Sequence, residues 1–192
     1  MPLSPEQIAG CWRREYEKAP ATLARMSEIN TLAAAFNANV DSVVKISGAE
    51  LQRRIRQTGM TLAELKNDAD RSIRRPEDVL RGIFRCFTLG IAEEWIAQDK
   101  EIYRWMKKEL GTEKLQMGAQ AGIIANTMSL TGIGRVVTHV GALPELQARQ
   151  FFKRDNLLSF DQNGTLKPAH TVNRPNEEAS IHWIIEFDKD DR

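Results

Sequence analysis

The stretch Ala35-Phe36-Asn37-Ala38-Asn39-Val40-Asp41 decides how this chain is read. It lies in a run from Leu32 to Ile46 that is small and β-branched, with Val40, Val43, Val44 and Ile46, the composition of a strand with room for a break. Side chains alternate between the faces of a strand, so Asn37, Asn39 and Asp41 at spacing two project the same way. That row offers two amides and a carboxylate, the donors and acceptors that hold the vicinal hydroxyls of a polyol. Asn and Asp equally favour turns at strand ends, so the residues alone leave both readings open.

The flanking sequence supplies the frame. Ser4 as cap, Pro5 at the first helical position and Gln7 at the capping-box spacing predict a helix through Lys18, with a second helix after Pro20. From Gly48 to Leu110, apolar residues such as Leu51, Ile55, Leu65, Ile73, Val79 and Ile83 recur at helical spacings, punctuated by Gly59 and Pro76. This mostly helical stretch is too long for a simple crossover, so residues 48–112 are expected to form an inserted, lid-like region. Residues 1–47 then begin a large α/β domain that resumes over 113–155. There the small, apolar Gly118–Leu130 precedes a buried strand, Arg135–Val140, and a helix over Pro144–Lys153, an order that suggests parallel strands. Residues 156–192 hold short lid or edge strands, with Asn163-Gly164 as a hairpin signal and Ile181–Phe187 as the last strand. A buried parallel strand is normally followed by a crossover and more strands. The sheet therefore reads as incomplete, with an uncovered edge near Phe187 and a tendency to self-associate.

Composition narrows the function. Of 192 residues, 42% are hydrophobic, enough for an ordinary core or for a large and a small lobe. Lys and Arg number 27 against 26 Asp and Glu, so no global field draws the chain to nucleic acid or to an anionic membrane. Cys11 and Cys86 are the only cysteines and no CxxC occurs, so neither a disulfide framework nor a cysteine zinc site is indicated, and a reducing cytoplasm fits. No basic-then-apolar leader and no membrane-length apolar run is present. His139, His170 and His182 lack metal-ligand spacing, and His139 and His182 on apolar strands read as core histidines without a role, so no metal site is assigned. The clusters Arg53-Arg54-Ile55-Arg56 and Arg71-Ser72-Ile73-Arg74-Arg75 read as solvated helix faces.

Four blocks carry a family resemblance: Phe36–Asp41, the glycine and glutamate of Leu89-Gly90-Ile91-Ala92-Glu93-Glu94, the block Gln116-Met117-Gly118-Ala119-Gln120-Ala121-Gly122-Ile123-Ile124-Ala125-Asn126, and Ile181–Phe187. They follow one another as in the ADP-dependent glucokinase and phosphofructokinase family, whose N-terminal portion the chain resembles. The resemblance implies an α/β, ribokinase-like open sheet with a lid. It also implies phosphoryl transfer from ADP to glucose or fructose 6-phosphate with magnesium, a step of glycolysis. By the same resemblance Asn37, Asn39, Asp41, Gly118 and Gln120 contact the sugar; Gly118 and Gly122 read alone could equally be a helix-packing face. Glu94, in preference to Glu93, matches the lid glutamate of glucose-specific members. Lys167 and Arg192 fall where phosphofructokinases carry phosphate-binding cations, and glucose holds a slight lead over fructose 6-phosphate.

The family's Asn-x-x-Glu magnesium motif and its Gly-x-Gly-Asp motif, which supplies the catalytic base and an anion hole, do not occur in the chain. Phosphoryl transfer depends on such positioning and charge stabilisation, so the chain by itself is expected to be inactive and to contain no catalytic residue. A fragment, a truncated gene product and a half that needs a C-terminal partner all fit. So does the alternative of a non-catalytic sugar-binding or interaction module.

Overall fold

Ser4 opens the first helix: its hydroxyl accepts from the Gln7 amide, and the Gln7 side chain accepts from the Ser4 amide at 2.8 Å. The computed structural model describes residues 2–67, 72–111 and 114–187; Arg71 and Arg192 lie outside the described residues. Helix α1 runs Pro5–Ala24, passing through Pro20 instead of restarting after it. Pro20 sits near the end of a helix that buries none of its residues, so water can meet the carbonyl that the proline leaves without a helical donor.

The run from Leu32 to Ile46 makes two strands, β1 (Thr31–Phe36) and β2 (Asn39–Val44), broken at Asn37 and Ala38. At the break the Asn37 carbonyl accepts from the Ala121 amide at 3.0 Å and the Ala38 carbonyl from Gln147 Nε2 at 3.1 Å. Both acceptors are thus taken up outside any ladder. The next elements are α2 (Gly48–Thr58), α3 (Leu62–Lys66), α4 (Pro76–Leu89), β3 (Glu93–Trp95), α5 (Lys100–Glu109) and β4 (Leu115–Gly118). After them come α6 (Gln120–Met128), β5 (Arg135–Val140), α7 (Glu145–Ala148), β6 (Leu157–Phe160), β7 (Leu166–Pro168) and β8 (Ile181–Ile185).

The chain divides into two compact units, one made of Met1–Ala38 and Ala119–Glu178, the other of Asn39–Gly118 and Ala179–Arg192. In the first unit the sheet order is β1-β5-β6-β7; β1, β5 and β6 run parallel and β7 returns antiparallel. The expected Asn163-Gly164 hairpin joins β6 to β7, with Gly164 at φ 76°, where a side chain would be strained. Val136, Val140, Leu143, Phe151 and Leu157 form the core, and α6 packs on β1 and β5. The helix expected over Pro144–Lys153 stops at Ala148. Asn126 ends it by donating to the Gln150 carbonyl at 3.0 Å and accepting from the Phe152 amide at 2.9 Å.

In the second unit the order is β3-β8-β2-β4, with β8 parallel to β2 and both outer strands antiparallel to their neighbours. Strand β8 is therefore not an open edge, as its sequence suggested; it is an inner strand of this second sheet. Alternation sorts the residues cleanly. Val40, Ser42, Val44, Trp95, Ile181, Trp183 and Ile185 are buried on one face. There Tyr103 of α5 meets the Trp183 ring edge-on at 5.4 Å, and a Cβ on Gly82 of α4 would lie 2.3 Å from the Trp95 ring. Each fully buried aliphatic side chain on this face contributes about 1.5–3 kcal/mol. The other face presents Asp41, Val43, His182 and Ile184, half-buried, and the exposed Glu94.

Candidate functional site

The open face of the second unit's sheet gathers the polar groups. In the ladder Asp41 stands opposite His182 on β8 and Gln116 on β4, while Asn39 stands opposite Gly118. Glu94 reaches His182 from β3, its Oε1 in a short contact with His182 Nδ1. The ligand atoms of Asp41, Glu94 and His182 all lie within 4.8 Å of one another. Asn39 is buried, and its Nδ2 donates to Asp41 Oδ1 at 2.7 Å. A Cβ at position 118 would come within 2.1 Å of Asp41 Oδ1 and 2.6 Å of Asn39 Nδ2, so the pair depends on glycine there.

Burial pushes the Asp41 carboxyl above its ordinary 3.8; the Asn39 hydrogen bond opposes the shift, Glu94 adds to it, and His182 and Gln116 oppose it. Glu93, one residue from Glu94, points the other way: Arg85 Nε donates to it at 2.8 Å, and Trp95 Nε1 donates at 3.1 Å. The alternation of β3 thus separates a structural glutamate from one on the open face.

Asn37 and Gln120 belong to the first unit. There Asn37 Nδ2 donates to Gln120 Oε1 at 3.3 Å, and both side chains are exposed at the start of α6. Asn37 is therefore not a third member of a single strand row; it sits in the break after β1. Ala119, just before α6, has φ 57° and ψ 160°, a conformation that costs a non-glycine residue about 1–3 kcal/mol and that clusters at functional positions. Lys167 on β7 pairs with Asp161 Oδ2 at 2.8 Å. Asn126 is buried and structural, as its two loop hydrogen bonds show.

The histidines depart from their expected places. His139 is an exposed residue with Phe36 and Phe160 edge-on at 5.6 and 6.1 Å, not a core histidine. His182 lies on the open face beside two carboxylates. The signal for it was present in the sequence: His182 and Ile184 alternate with Ile181, Trp183 and Ile185, which places the histidine opposite the apolar face.

Two α/β units, one carrying a polar row on the open face of its sheet, frame the comparison with known proteins. The chain belongs to the family described as the ADP-specific phosphofructokinase/glucokinase conserved region, which matches residues 30–192. It is 32% identical over 158 residues to the ADP-specific phosphofructokinase of Pyrococcus abyssi, covering 81% of this chain and 35% of that one. It is also 30% identical over 179 residues to the ADP-dependent glucose/glucosamine kinase of the same organism, covering 92% and 38%. A solved structure of the last common ancestor of ADP-dependent phosphofructokinases from Methanosarcinales superposes with TM-score 0.70 at 26% identity, covering 92% of this chain and 37% of that one. The chain thus has the α/β fold of the ADP-dependent kinases and spans little more than a third of the length of these relatives.

Magnesium, which the resemblance in the sequence leads one to expect, demands a near-octahedral set of oxygen ligands. Asp41, Glu94 and His182 offer two carboxylates and an imidazole, a set that suits softer divalent ions better. The trio does not fit magnesium.

Proposed function

We propose that this chain supplies the sugar-binding part of an ADP-dependent kinase that phosphorylates an alcohol group of glucose or fructose 6-phosphate in the cytoplasm. The observation that carries the reading is the open face of the second sheet, where Asp41, Glu94, His182, Asn39 and Gly118 form one polar row. Asp41 accepts from two sugar hydroxyls, Asn39 keeps its carboxylate turned toward them, and Gly118 lets the sugar ring and the main chain approach closely. Residues 48–112 act as part of the lid.

Glucose is the favoured sugar. Glu94 and Asp41 provide acceptors for hydroxyls and would repel a phosphate, whereas Lys167, the candidate phosphate-binding cation, is already paired with Asp161. ADP and magnesium enter this reading through the family alone, since Asn-x-x-Glu and Gly-x-Gly-Asp do not occur in the 192 residues. No helix among the described residues is long and apolar enough to cross a membrane.

The test has two arms. The 192-residue chain, incubated with ADP, magnesium and glucose or fructose 6-phosphate, is expected to form no sugar phosphate. In saturation-transfer NMR it is expected to bind glucose saturably, and Asp41→Ala to lose that binding. Turnover by the chain alone would show that it carries more than the binding part. No saturable sugar signal would leave the polar row without its ligand and overturn the reading.

A further inference from the structure

Asp41, Glu94 and His182 come from three neighbouring strands of one sheet, and β8 with the histidine lies between the two strands that carry the carboxylates. The ladder sets their places. Asp41 stands opposite His182, and Glu94 stands opposite Ile184, two residues along β8 and so on the same face as the histidine. No local motif announces such a trio, because strand pairing gathers donors that the chain order keeps apart; Glu94 and His182 are 88 residues distant in sequence. Their charge is also unlike that of other carboxylates in the chain. Glu93, Asp78 and Asp161, each partly buried, hold Arg85, Arg81 and Lys167 respectively. Among the described residues neither Asp41 nor Glu94 has a lysine or arginine partner, and the imidazole of His182 is the one basic group beside them. Negative charge partly removed from water is held by a cationic partner or by coordinating a metal ion.

We propose that Asp41, Glu94 and His182 form a site for a divalent cation of the zinc class, and that this ion and the sugar compete for it. Two carboxylates and an imidazole are three protein ligands of the kind that zinc takes, with a further position left to water. Donors gathered on one such ion lie ~3.3 Å apart, so a trio already within 4.8 Å needs only a small closure of its side chains. Glu94, its side chain 54% exposed, leaves the face accessible from solvent and supplies the movement. Asp41 is held in position, since Asn39 donates to it at 2.7 Å and Gln116 bonds the same carboxylate; such outer hydrogen bonds orient a ligating carboxylate. Lone pairs given to the ion no longer accept hydroxyls, which makes the two ligands exclusive. The competition rests on the proposed sugar reading; the ion site does not.

Calorimetry with Zn²⁺ on the metal-stripped 192-residue chain is expected to show saturable binding, and Mg²⁺ to bind on the order of 100-fold more weakly. In the isotope-labelled chain Zn²⁺ should move the ring nitrogens of His182 and leave those of His139 and His170 in place, a readout that needs no variant. Glu94→Gln and His182→Gln should each weaken Zn²⁺ by at least about 10-fold, whereas Cys11→Ser should change nothing. With Zn²⁺ at about ten times its own Kd, the apparent Kd for glucose should rise about tenfold. A flat Zn²⁺ isotherm, ring shifts at His139 or His170 in place of His182, a loss in Cys11→Ser equal to that in Glu94→Gln, or Mg²⁺ bound as tightly as Zn²⁺ would each overturn the site. Glucose binding that survives any of these results would leave the sugar reading intact. Zn²⁺ held through His182 in a chain that binds no glucose would sink the sugar reading and leave the ion site standing. Glucose affinity unchanged or raised by bound Zn²⁺ would overturn the competition.

Discussion

Asp41 on β2 of the second unit and Asp161 beside the β6–β7 turn of the first are both sheet-associated aspartates, yet their surroundings act in opposite directions. Burial raises the Asp41 carboxyl above 3.8, with Glu94 adding to the effect. Lys167 first, then the Thr165 and Asn163 amides, hold Asp161 down to about 2. The donors around Asp161 match its lone pairs, so the turn is complete without a ligand. Asp41 is held by side-chain hydrogen bonds from Asn39 and Gln116 and faces another carboxylate. A carboxylate whose energy burial and a second carboxylate raise is one that further hydroxyl donors would relieve. The contrast separates a self-satisfied hairpin from the proposed binding face.

The largest effect expected from this contrast is on sugar affinity. Asp41→Ala should weaken glucose binding by about 1.5–3 kcal/mol, the range for a hydrogen bond to a charged group, as read by calorimetry or NMR titration. An equal or greater loss from Lys167→Ala, with fructose 6-phosphate the better ligand, would move the site to the first unit's hairpin. Next in size is Gly118→Ala. Its methyl would collide with Asp41 and Asn39, so urea unfolding should show a loss of about 1–3 kcal/mol. Gly141→Ala, where a Cβ meets nothing within 4 Å, should change little, and equal effects at the two positions would remove the argument for close packing at Gly118.

Smaller and opposite in sign are the pH effects of the two aspartates. The raised Asp41 value means that stability is fully present below the unfolded value of 3.8 and is lost as pH rises through the folded one. Asp41→Asn should therefore have a Tm above that of the parent at neutral pH, with the gap closing on acidification. The lowered Asp161 value works the other way: its contribution is present above 3.8 and disappears as pH falls toward about 2. Asp161→Asn should lower the Tm at neutral pH and converge with the parent in that acidic window. Two variants shifting in the same direction would erase the comparison. The smallest effect is that of Lys167→Ala, which should lower the Tm slightly and leave glucose affinity unchanged.

Much of this was legible in the residues, and the failures have identifiable causes. The capping box at Ser4, the strand at Arg135–Val140 and the hairpin at Asn163-Gly164 are local signals, and each element forms where its own chemistry places it. The motif order carried the family. Strand partnership was not legible, because nothing local distinguishes a strand that joins one sheet from a strand that joins another. Asn37 therefore looked like a strand neighbour of Asn39, and Ile181–Phe187 looked like a rim. His182 was missed for a related reason: its apolar neighbours were read as its surroundings, although alternation puts them on the opposite face of the sheet.

The central claim is that the open face of the second unit's sheet binds sugar hydroxyls, and a glucose titration of the isotope-labelled chain followed by backbone amide shifts tests it most directly. The account predicts that Asp41, Glu94, Gly118 and His182 shift together along one saturable curve that disappears in Asp41→Ala. Amides of this face that stay still while glucose saturates the chain elsewhere, or shifts confined to the Asp161–Lys167 hairpin, would contradict it.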